Sequence, residues 1–340
     1  MTDKLNWGIL ATGLIARKFA VDLPGSRTGR LVAVGSRNAE TARKFAADFG
    51  QIRAHGSYEA LLADPEVQAV YIAPPHPQHL EWTLKAAAAG KHILCEKPLA
   101  LNRADSERMV AAARTHRVLL MEAFAYRCHP QTARLVELIR SQAIGELRLI
   151  QASFAVNFPF DPAHRMYNKA LGGGGILDLG CYPVSFSRLM AGAAVGQPFV
   201  EPLEFKGAGR LNAVTRVDEY AAATATFPGG ITAQLACGMC VAQEIHARLY
   251  GTTGWIDIPA PFSPSLGGRA DRILIHRPGV PVPEEIVFAG GRGLYSYEAD
   301  AVAEALARGE RESPAMDLAD TLGNMAVLDD WLAQLGVRYD

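Results

Sequence analysis

One lysine, which lies between an acidic residue and a proline, is the residue of this chain best suited to stabilise negative charge in a reaction. Glu96, Lys97 and Pro98 follow the apolar run HILC. A residue before proline is pushed towards extended geometry, so Lys97 should project from the end of a strand. In a partly desolvated cleft, its ammonium could hold a substrate hydroxyl and stabilise a developing alkoxide or phenolate. The alternative is an ordinary surface pair of Glu96 with Lys97.

A second pair of polar groups follows a run of glycines. Residues 172–175 are all glycine and lead into ILDLGCYPVSFSRLM, which we expect to begin as a helix. Asp178 and Tyr182 are four residues apart, so on a helix they would share one face with roughly 5–6 Å between their Cβ atoms. Both side chains could then face the same cleft.

Two histidines and two cysteines have spacings that could suggest metal ligands. His76 and His79 lie in the proline-rich stretch PPHPQH, and no third ligand is apparent nearby. We expect these histidines to line a cofactor or to cap a helix. Cys237 and Cys240 form a C-x-x-C in a strand-like stretch without a second pair, so we expect them to be packing residues. The sequence predicts no metal site.

The first 125 residues alternate strand and helix patterns. Short apolar runs are separated by stretches with helical periodicity; the runs are WGILA, LVAVGSR, VQAVYIA, HILC and RVLLMEAF. This alternation predicts an α/β fold in which helices cover both faces of a doubly wound parallel sheet, over residues 1–125. Ligands of such sheets lie beyond the carboxyl ends of the strands.

The turn after the first strand is a candidate site for a dinucleotide. Its sequence, ATGLIA, resembles G-x-G-x-x-[GA] with Ala11 in place of the first glycine. Gly13 would let the backbone approach a pyrophosphate at the helix N-terminus. The cofactor candidates in this turn are Thr12, Gly13, Leu14 and Ile15. The alternative is a glycine turn without a ligand.

The second strand ends at Ser36 and Arg37, where an NAD-preferring site carries an acid for the ribose hydroxyls. Arg37 could give charge-assisted hydrogen bonds to a ribose phosphate, each worth about 1.5–3 kcal/mol. The sequence therefore predicts NADP, with a solvated surface arginine as the alternative. The loop after VYIA should cross the cofactor's edge and supplies further candidates: Ala73, Pro74, His76 and His79.

The pattern changes after residue 125. Strand-length stretches are separated by glycine-rich or proline-rich turns; they are EYAAATATF, GITAQLAC, IHARLYG, GWIDI and RILIH. They support a large sheet in a second, α+β domain over residues 126–340.

Bulk composition excludes several classes of protein. The 340 residues exceed what one hydrophobic core usually organises, so two domains are expected. The 34 Lys and Arg balance 35 Asp and Glu, and no segment concentrates basic residues with interleaved aromatic residues as a track for a phosphate backbone would, so nucleic acid is not an expected partner. We see neither a signal-peptide pattern nor an apolar run of about 18 residues that would span a membrane. The five scattered cysteines fit reduced thiols, and we expect a cytoplasmic protein.

Six stretches of the chain together resemble one enzyme family. The chain is similar to the glucose–fructose oxidoreductase and inositol dehydrogenase family in GILATGLIARKFA, VGSRN, YEALLADPEVQAVYIAPP, GKHILCEKPLALN, MEAFAYRCHPQ and GGGGILDLGCYPV. The resemblance implies a Rossmann domain followed by an open-faced, mostly antiparallel sheet whose exposed face builds a homodimer. With Tyr182 where histidine is commoner, the chain resembles the branch that holds dihydrodiol dehydrogenase, glucose–fructose oxidoreductase and NADP-linked aldose dehydrogenases.

The resemblance also implies roles for particular residues. It makes Lys97 the catalytic lysine, Tyr182 the acid/base residue and Asp178 a substrate contact. It places Arg165 near the nicotinamide and substrate, and Glu96 against the cofactor, which Lys97 would also contact. Further substrate candidates are Arg127 and Tyr167.

Together these roles predict an NADP(H)-dependent oxidoreductase that acts on a hydroxyl-bearing carbon of a sugar or polyol. Tyr182 would accept the hydroxyl proton as hydride leaves, and Lys97 would favour the phenolate, because a free tyrosine with a pKa of about 10 is a poor base. One alternative is a trans-dihydrodiol dehydrogenase, and another is a non-enzymatic NADP-binding sensor of the same fold. The aromatic residues that could line a diol pocket are Phe154, Phe158, Phe160 and Tyr167.

Overall fold

The computed structural model of the chain describes residues 4–50 and 52–339. Over these residues the chain forms fourteen β-strands and nine α-helices. The strands are β1 (Leu5–Leu10), β2 (Gly29–Gly35), β3 (Arg53–His55), β4 (Ala69–Ile72), β5 (His92–Glu96), β6 (Leu120–Ala123), β7 (Leu147–Ala155), β8 (Glu204–Leu211), β9 (Asp218–Phe227), β10 (Ile231–Gly238), β11 (His246–Gly251), β12 (Trp255–Ile258), β13 (Asp271–His276) and β14 (Glu284–Phe288). The helices are α1 (Leu14–Asp22), α2 (Ala39–Ala47), α3 (Tyr58–Leu62), α4 (His79–Ala88), α5 (Arg103–Thr115), α6 (Pro130–Arg140), α7 (Cys181–Ala194), α8 (Tyr295–Ala307) and α9 (Leu318–Gln334).

The described residues divide by their contacts into two compact units. The first unit comprises the residues up to Cys128 together with Ser265–Gly268 and Gly291–Leu322. The second comprises His129–Pro264, Arg269–Gly290 and the described residues from Gly323 onwards. The first unit therefore includes α8, which comes late in the chain. The division into residues 1–125 and 126–340 stays a prediction.

Six parallel strands form the sheet of the first unit, in the order β3-β2-β1-β4-β5-β6. The strand order reverses direction between β1 and β4, and this switch point is where doubly wound sheets bind their ligands. All four residues of β4 are buried, as expected for a central strand of a parallel sheet covered on both faces. The predicted parallel sheet is confirmed.

An aromatic stack fixes α1 against this sheet. The helix buries Ala16, Phe19 and Ala20, which recur at helical spacing. Phe19 lies edge-on to Trp7 at 5.4 Å between ring centroids and stacks on Tyr71 at 4.1 Å. Such pairs add about 0.5–1.5 kcal/mol each beyond burial. They hold the N-terminus of α1 at the carboxyl end of β1.

Eight strands form the sheet of the second unit, in the order β14-β13-β12-β11-β7-β10-β9-β8. Only the pair of β7 and β10 is parallel; the other pairs are antiparallel. Along β10, Ala233 and Leu235 are buried while Thr232 and Gln234 are exposed, so one face is covered and the other open. The predicted mostly antiparallel sheet is confirmed.

The segment that follows the glycine run begins with an unusual turn. Ile176–Gly180 form a π-helix that continues directly into α7. Pro183, the third residue of α7, has no N–H to donate to a preceding carbonyl, which accounts for the irregular hydrogen bonding just before it. Single π-turns are rare and occur frequently at functional sites.

Among the described helices, none is both long enough and apolar enough to cross a membrane.

Candidate active site

The turn between β1 and α1 has room for an anion next to backbone N–H groups. Ala11 has a φ of +104°, in the left-handed region that favours glycine. Its N–H donates to the carbonyl of Gly35 over 3.1 Å, which ties the ends of β1 and β2 together. Gly13 precedes α1, and a Cβ there would meet nothing within 4 Å. This open helix N-terminus suits a pyrophosphate.

A cavity of about 490 Å³ opens at the carboxyl ends of β1, β2 and β4. Six cofactor residues predicted from the sequence line it: Thr12, Gly13, Ser36, Arg37, Ala73 and Pro74. Five further lining residues were not predicted: Ala11, Asn38, Thr41, Tyr58 and Pro75. Within the described residues that line it, none is a carboxylate. The cavity therefore lies where doubly wound sheets bind a dinucleotide.

Arg37 is exposed at this cavity and hydrogen bonds with the hydroxyl of Tyr58. Burial raises the pKa of Tyr58, and the charge of Arg37 opposes the rise. Ser36 is buried, and its hydroxyl accepts the N–H of Asn38 over 3.3 Å. Asn38 in turn caps α2 through its side-chain oxygen. The cap fixes the backbone at the strand end and so places the guanidinium beside the cavity.

His79 joins two loops that follow neighbouring strands. Its ring is wholly buried, with Nε2 at 2.9 Å from the carbonyl oxygen of Pro74 and Nδ1 at 3.0 Å from that of Pro98. Burial, followed by the effect of His76, lowers the pKa of His79 to about 3, so the ring is neutral. The ring thus joins the loops after β4 and β5, and a cofactor contact for His79 stays a prediction. His76, also buried, packs edge-on against it at 5.6 Å.

Glu96 anchors the end of β5 and so places Lys97. Its buried carboxylate accepts the hydroxyl of Tyr71, and Oε2 accepts the N–H of Lys97 over 3.3 Å. Burial and then the charge of Glu96 raise the pKa of Tyr71, which therefore stays a donor. On β6, the buried Glu122 accepts the N–H of Leu99 over 2.9 Å. Lys97, which is half-buried, thus leaves the sheet between two anchored residues.

Arg165 and Asp178 form an ion pair in the second unit. Arg165 Nη2 lies 3.1 Å from Asp178 Oδ2, and the carboxylate is largely buried. Arg165 comes from a short 3₁₀ turn, Arg165–Tyr167, whereas Asp178 comes from the π-helix. A Cβ at Gly173 would collide with the carbonyl oxygens of Arg165 and Met166. The glycine therefore permits the close approach that brings the pair together.

The ring of Tyr182, the second residue of α7, lies among phenylalanines. Its centroid is 5.0 Å from that of Phe154 and 5.4 Å from that of Phe262. The rings of Phe154 and Phe262 are stacked, with 5.6 Å between centroids. The predicted aromatic residues Phe158 and Phe160 are instead exposed. Phe262 belongs to this aromatic cluster although the sequence did not single it out.

Two predicted substrate contacts are engaged within the protein. Arg127 forms a buried ion pair with Asp320, and its Nε donates to the carbonyl of Ala315 over 3.2 Å. Tyr167 is wholly buried, and its hydroxyl donates to the carbonyl of Phe158 over 3.1 Å. A substrate contact for either residue stays a prediction.

The predicted site residues fall into both units. The cavity residues, Glu96 and Lys97 belong to the first unit, and Arg165, Asp178 and Tyr182 belong to the second. Leu14 is exposed and Ile15 half-buried at the start of α1, outside the cavity lining. The structure thus gathers most of the predicted cofactor loops around one cavity, and separately pairs Arg165 with Asp178 just before Tyr182.

Two stretches of the chain match known protein families. Residues 5–124 match an oxidoreductase family with an NAD-binding Rossmann fold. Residues 132–257 match the GFO/IDH/MocA C-terminal domain. The chain belongs to the GFO/IDH/MocA family of oxidoreductases. It is therefore an NAD(P)-binding oxidoreductase, and its dehydrogenase relatives support an enzyme that acts on CH–OH groups.

Relatives of this GFO/IDH/MocA oxidoreductase include trans-1,2-dihydrobenzene-1,2-diol dehydrogenases. The chain is 35% identical to the Xenopus laevis protein over 339 residues, which cover 98% of each chain. It is 34% identical to the Homo sapiens protein over 340 residues, again 98% of each chain.

Solved structures similar to this oxidoreductase include a ketoreductase and an aldose–aldose oxidoreductase. A 3-ketoreductase from Actinomadura kijaniata, in complex with NADP and TDP-benzene, is 30% identical, with a TM-score of 0.85 and 98% of each chain covered. Structures of that protein include variants with a substituted lysine or tyrosine. An aldose–aldose oxidoreductase from Caulobacter crescentus is 25% identical, with a TM-score of 0.86 and 98% of each chain covered.

Proposed function

We propose that this oxidoreductase uses NADP(H) to move a hydride to or from a hydroxyl-bearing carbon of a sugar or polyol. The observation that carries the proposal is the cavity of about 490 Å³ with Arg37 at its lining and no carboxylate among the described residues that line it. A ribose phosphate would give the Arg37 guanidinium a charged partner, whereas NAD would leave it without one. The rest of the dinucleotide would be held by the other predicted residues of the lining, which are Thr12, Gly13, Ser36, Ala73 and Pro74.

The protein's own groups would handle the proton and the substrate. When bound, NADP⁺ would accept the hydride in the oxidation direction, and NADPH would supply it in the reduction direction. In the oxidation direction Tyr182 takes the hydroxyl proton, and in reduction it returns that proton. The Lys97 ammonium favours the phenolate and orients the substrate oxygen, because a nearby cation stabilises the charged form of an acid. Asp178, held by Arg165 at 3.1 Å, accepts a hydrogen bond from a substrate hydroxyl.

Cofactor titrations test the role of Arg37. Substituting Arg37→Ala should weaken NADPH binding by about 10- to 100-fold, the loss of one or two charge-assisted hydrogen bonds, and change NADH binding about twofold at most. Tryptophan fluorescence measures both dissociation constants. The control is Arg114→Ala, which removes an exposed arginine of α5 outside the cavity. An unchanged preference for NADPH over NADH in Arg37→Ala would show that Arg37 does not recognise the ribose phosphate.

The reaction is tested by turnover on a panel of aldoses, polyols and cyclic diols. Oxidation of aldoses or polyols with NADP, or reduction of the matching carbonyl compounds with NADPH, would support the proposal. Tight NADPH binding without turnover on any member of the panel would contradict it and favour a non-enzymatic sensor.

One observation favours a second candidate, a trans-dihydrodiol dehydrogenase. The ring of Tyr182 is surrounded by Phe154 and Phe262 at 5.0 and 5.4 Å, and flat hydrophobic rings pack well against such aromatic surfaces. Faster oxidation of a cyclic trans-diol than of any aldose would decide for this candidate. Phe262→Leu should then lower kcat/KM for the diol more than for the aldoses.

We also propose that two copies associate through the open face of the eight-stranded sheet, in the cytoplasm. Strands β9 and β10 expose the small, uncharged Thr224 and Thr232 on this face, beside the charged Lys206 and Arg248 of neighbouring strands. A hydrogen bond of 2.6 Å joins Gln151 to Gln234 across it. Light scattering should report a dimer for the native chain and a monomer for Thr224→Arg. The control is Thr115→Arg, which alters an exposed residue of α5. A native monomer, or a Thr224→Arg dimer, would contradict this proposal.

A further inference from the structure

Asp218 is a wholly buried carboxylate that the sequence did not single out. It is the first residue of β9 and has no exposed surface. Its Oδ2 accepts the N–H of Ile176 over 2.6 Å, and the N–H of Gly175 also donates to it. Ile176 begins the π-helix that carries Asp178 and continues into the first turn of α7 with Tyr182. The carboxylate therefore holds the start of the segment on which both proposed site residues lie.

The C-terminal segment contacts the same glycine-led turn. The hydroxyl of Tyr339 donates to the carbonyl of Gly173. Gly174 has a φ of +119°, and a Cβ there would overlap with Oδ1 of Asp218 and with the hydroxyl of Tyr339. Only glycine meets both conditions, so the turn can pack directly against the buried carboxylate.

The surroundings of Asp218 make its charge depend on pH near neutrality. Burial raises the pKa of Asp218 to about 7, although the backbone N–H groups of Ile176 and Gly175 favour the charged form. Burial also raises the pKa of the Cys237 thiol and of the Tyr339 phenol, so both neighbours stay neutral. The titratable and charged groups of the surrounding elements are Cys237 on β10, Cys181 on α7, Tyr339 in the C-terminal segment, and Glu219 on β9, which pairs with Arg210 on β8.

We propose that Asp218 is a positioning residue for the reaction: by accepting the Ile176 N–H, it fixes the start of the π-helix and thereby the orientation of Asp178 and Tyr182. The inference rests on the proposed function of those two residues. An ionised carboxylate accepts an N–H hydrogen bond about twice as strongly as a neutral one. The segment should therefore be held more firmly, and kcat should be higher, above the pH at which Asp218 ionises.

Two variants separate the charge of Asp218 from its shape. Asp218→Asn keeps an acceptor oxygen and removes the charge, and Asp218→Ala removes both. The matched control is Asp271→Asn, since Asp271 is also buried and also begins a strand of the same sheet, but pairs with Arg269. We expect kcat at pH 8 to fall by about 10-fold in Asp218→Asn and about 100-fold in Asp218→Ala, because small misplacements of reacting groups are costly. NADPH affinity should stay within about twofold of native in all three variants.

The pH profile gives a readout that a merely structural role would not move. The inflection of kcat near pH 7 in the native enzyme should disappear in Asp218→Asn and persist in Asp271→Asn. A native profile in Asp218→Asn, or equal loss of kcat and stability in Asp218→Asn and Asp271→Asn, would overturn the proposal.

Hydrogen exchange tests the anchoring contact without any substrate. In the full-length protein, amides of residues 174–182 should exchange faster in Asp218→Asn than in the native chain or in Asp271→Asn, and Tyr339→Phe should have a smaller effect on the same peptide. Unchanged exchange in Asp218→Asn overturns the proposal even if turnover on sugars is established. Faster exchange in a chain that turns over no substrate overturns the proposed function, but supports Asp218 as the anchor of this segment.

Discussion

Arg165 and Asp178 lie 3.1 Å apart, measured from Nη2 to Oδ2, and the pair joins a 3₁₀ turn to a π-helix. The guanidinium is partly exposed, whereas the carboxylate is largely buried. In the proposed function, this pair would hold Asp178 in position to accept a hydrogen bond from a substrate hydroxyl.

Removing the guanidinium should impair the use of substrate. We expect Arg165→Gln to lower kcat/KM about tenfold, the loss of one charge-assisted hydrogen bond. Because the two side chains interact, the double variant Arg165→Gln with Asp178→Asn should lose less than the product of the single losses. The control Arg148→Gln removes a surface arginine that pairs with Glu146 in the same unit. Independent losses in steady-state kinetics would show that the pair does not act together.

The proposed proton-transfer residues should affect turnover without affecting the fold. Tyr182→Phe and Lys97→Ala are each expected to lower kcat by about 10²–10⁴-fold, because each removes a group that acts only in the reaction. Melting temperature and NADPH affinity should change little. The controls are Tyr220→Phe and Lys44→Ala, which alter exposed side chains. Near-native turnover of either variant would remove that residue from the mechanism.

Ala11 lies in a backbone conformation that costs free energy for any residue with a Cβ. Its φ of +104° is in the left-handed region, where alanine is disfavoured by about 1–2 kcal/mol. Glycine relieves this cost but adds entropy to the unfolded chain. We expect Ala11→Gly to raise the free energy of unfolding by about 0.5–1 kcal/mol in urea titrations. Ala16→Gly, inside α1, should lower it, and a destabilised Ala11→Gly would contradict this reading of the turn.

Because the ring of His79 is buried, we expect the free energy of unfolding to decrease at acidic pH. Burial lowers the pKa of His79 from 6.5 to about 3 in the folded state, so between these values the unfolded chain binds more protons than the folded chain. Stability then rises with pH through this window and is lost as pH falls.

Comparison with His79→Gln isolates this effect. The free energy of unfolding of the native chain, minus that of the variant, should increase by up to about 1.4 kcal/mol per pH unit between pH 4 and pH 6, and level off above pH 7. Urea titrations at each pH measure it, and exposed His116→Gln is the control. A difference that stays constant over this range would mean that His79 titrates alike in both states.

The alternation of apolar runs and amphipathic helices is enough to predict the first sheet and the edge at which its loops meet. Residues 12–13, 36–37 and 73–74 line one cavity because the carboxyl ends of neighbouring parallel strands share an edge of the sheet. Strands β3 and β8 escape such prediction. β3 has three residues, two of them basic or histidine, while β8 contains two glycines and three charged residues. Neither has enough alternation of apolar side chains to indicate a strand.

The sequence by itself determined which residue types stand at the strand ends and therefore the class of cofactor and chemistry that they suit. Only the tertiary structure decided which distant groups hold these residues in place by hydrogen bonds. Asp218 meets the N–H of Ile176 across 42 residues, and Tyr339 meets the carbonyl of Gly173 across 166. Local periodicity reports whether a side chain prefers burial, but a buried polar group must find a partner wherever distant backbone packs against it, since burial without one costs free energy. The partner is thus a property of the packed fold.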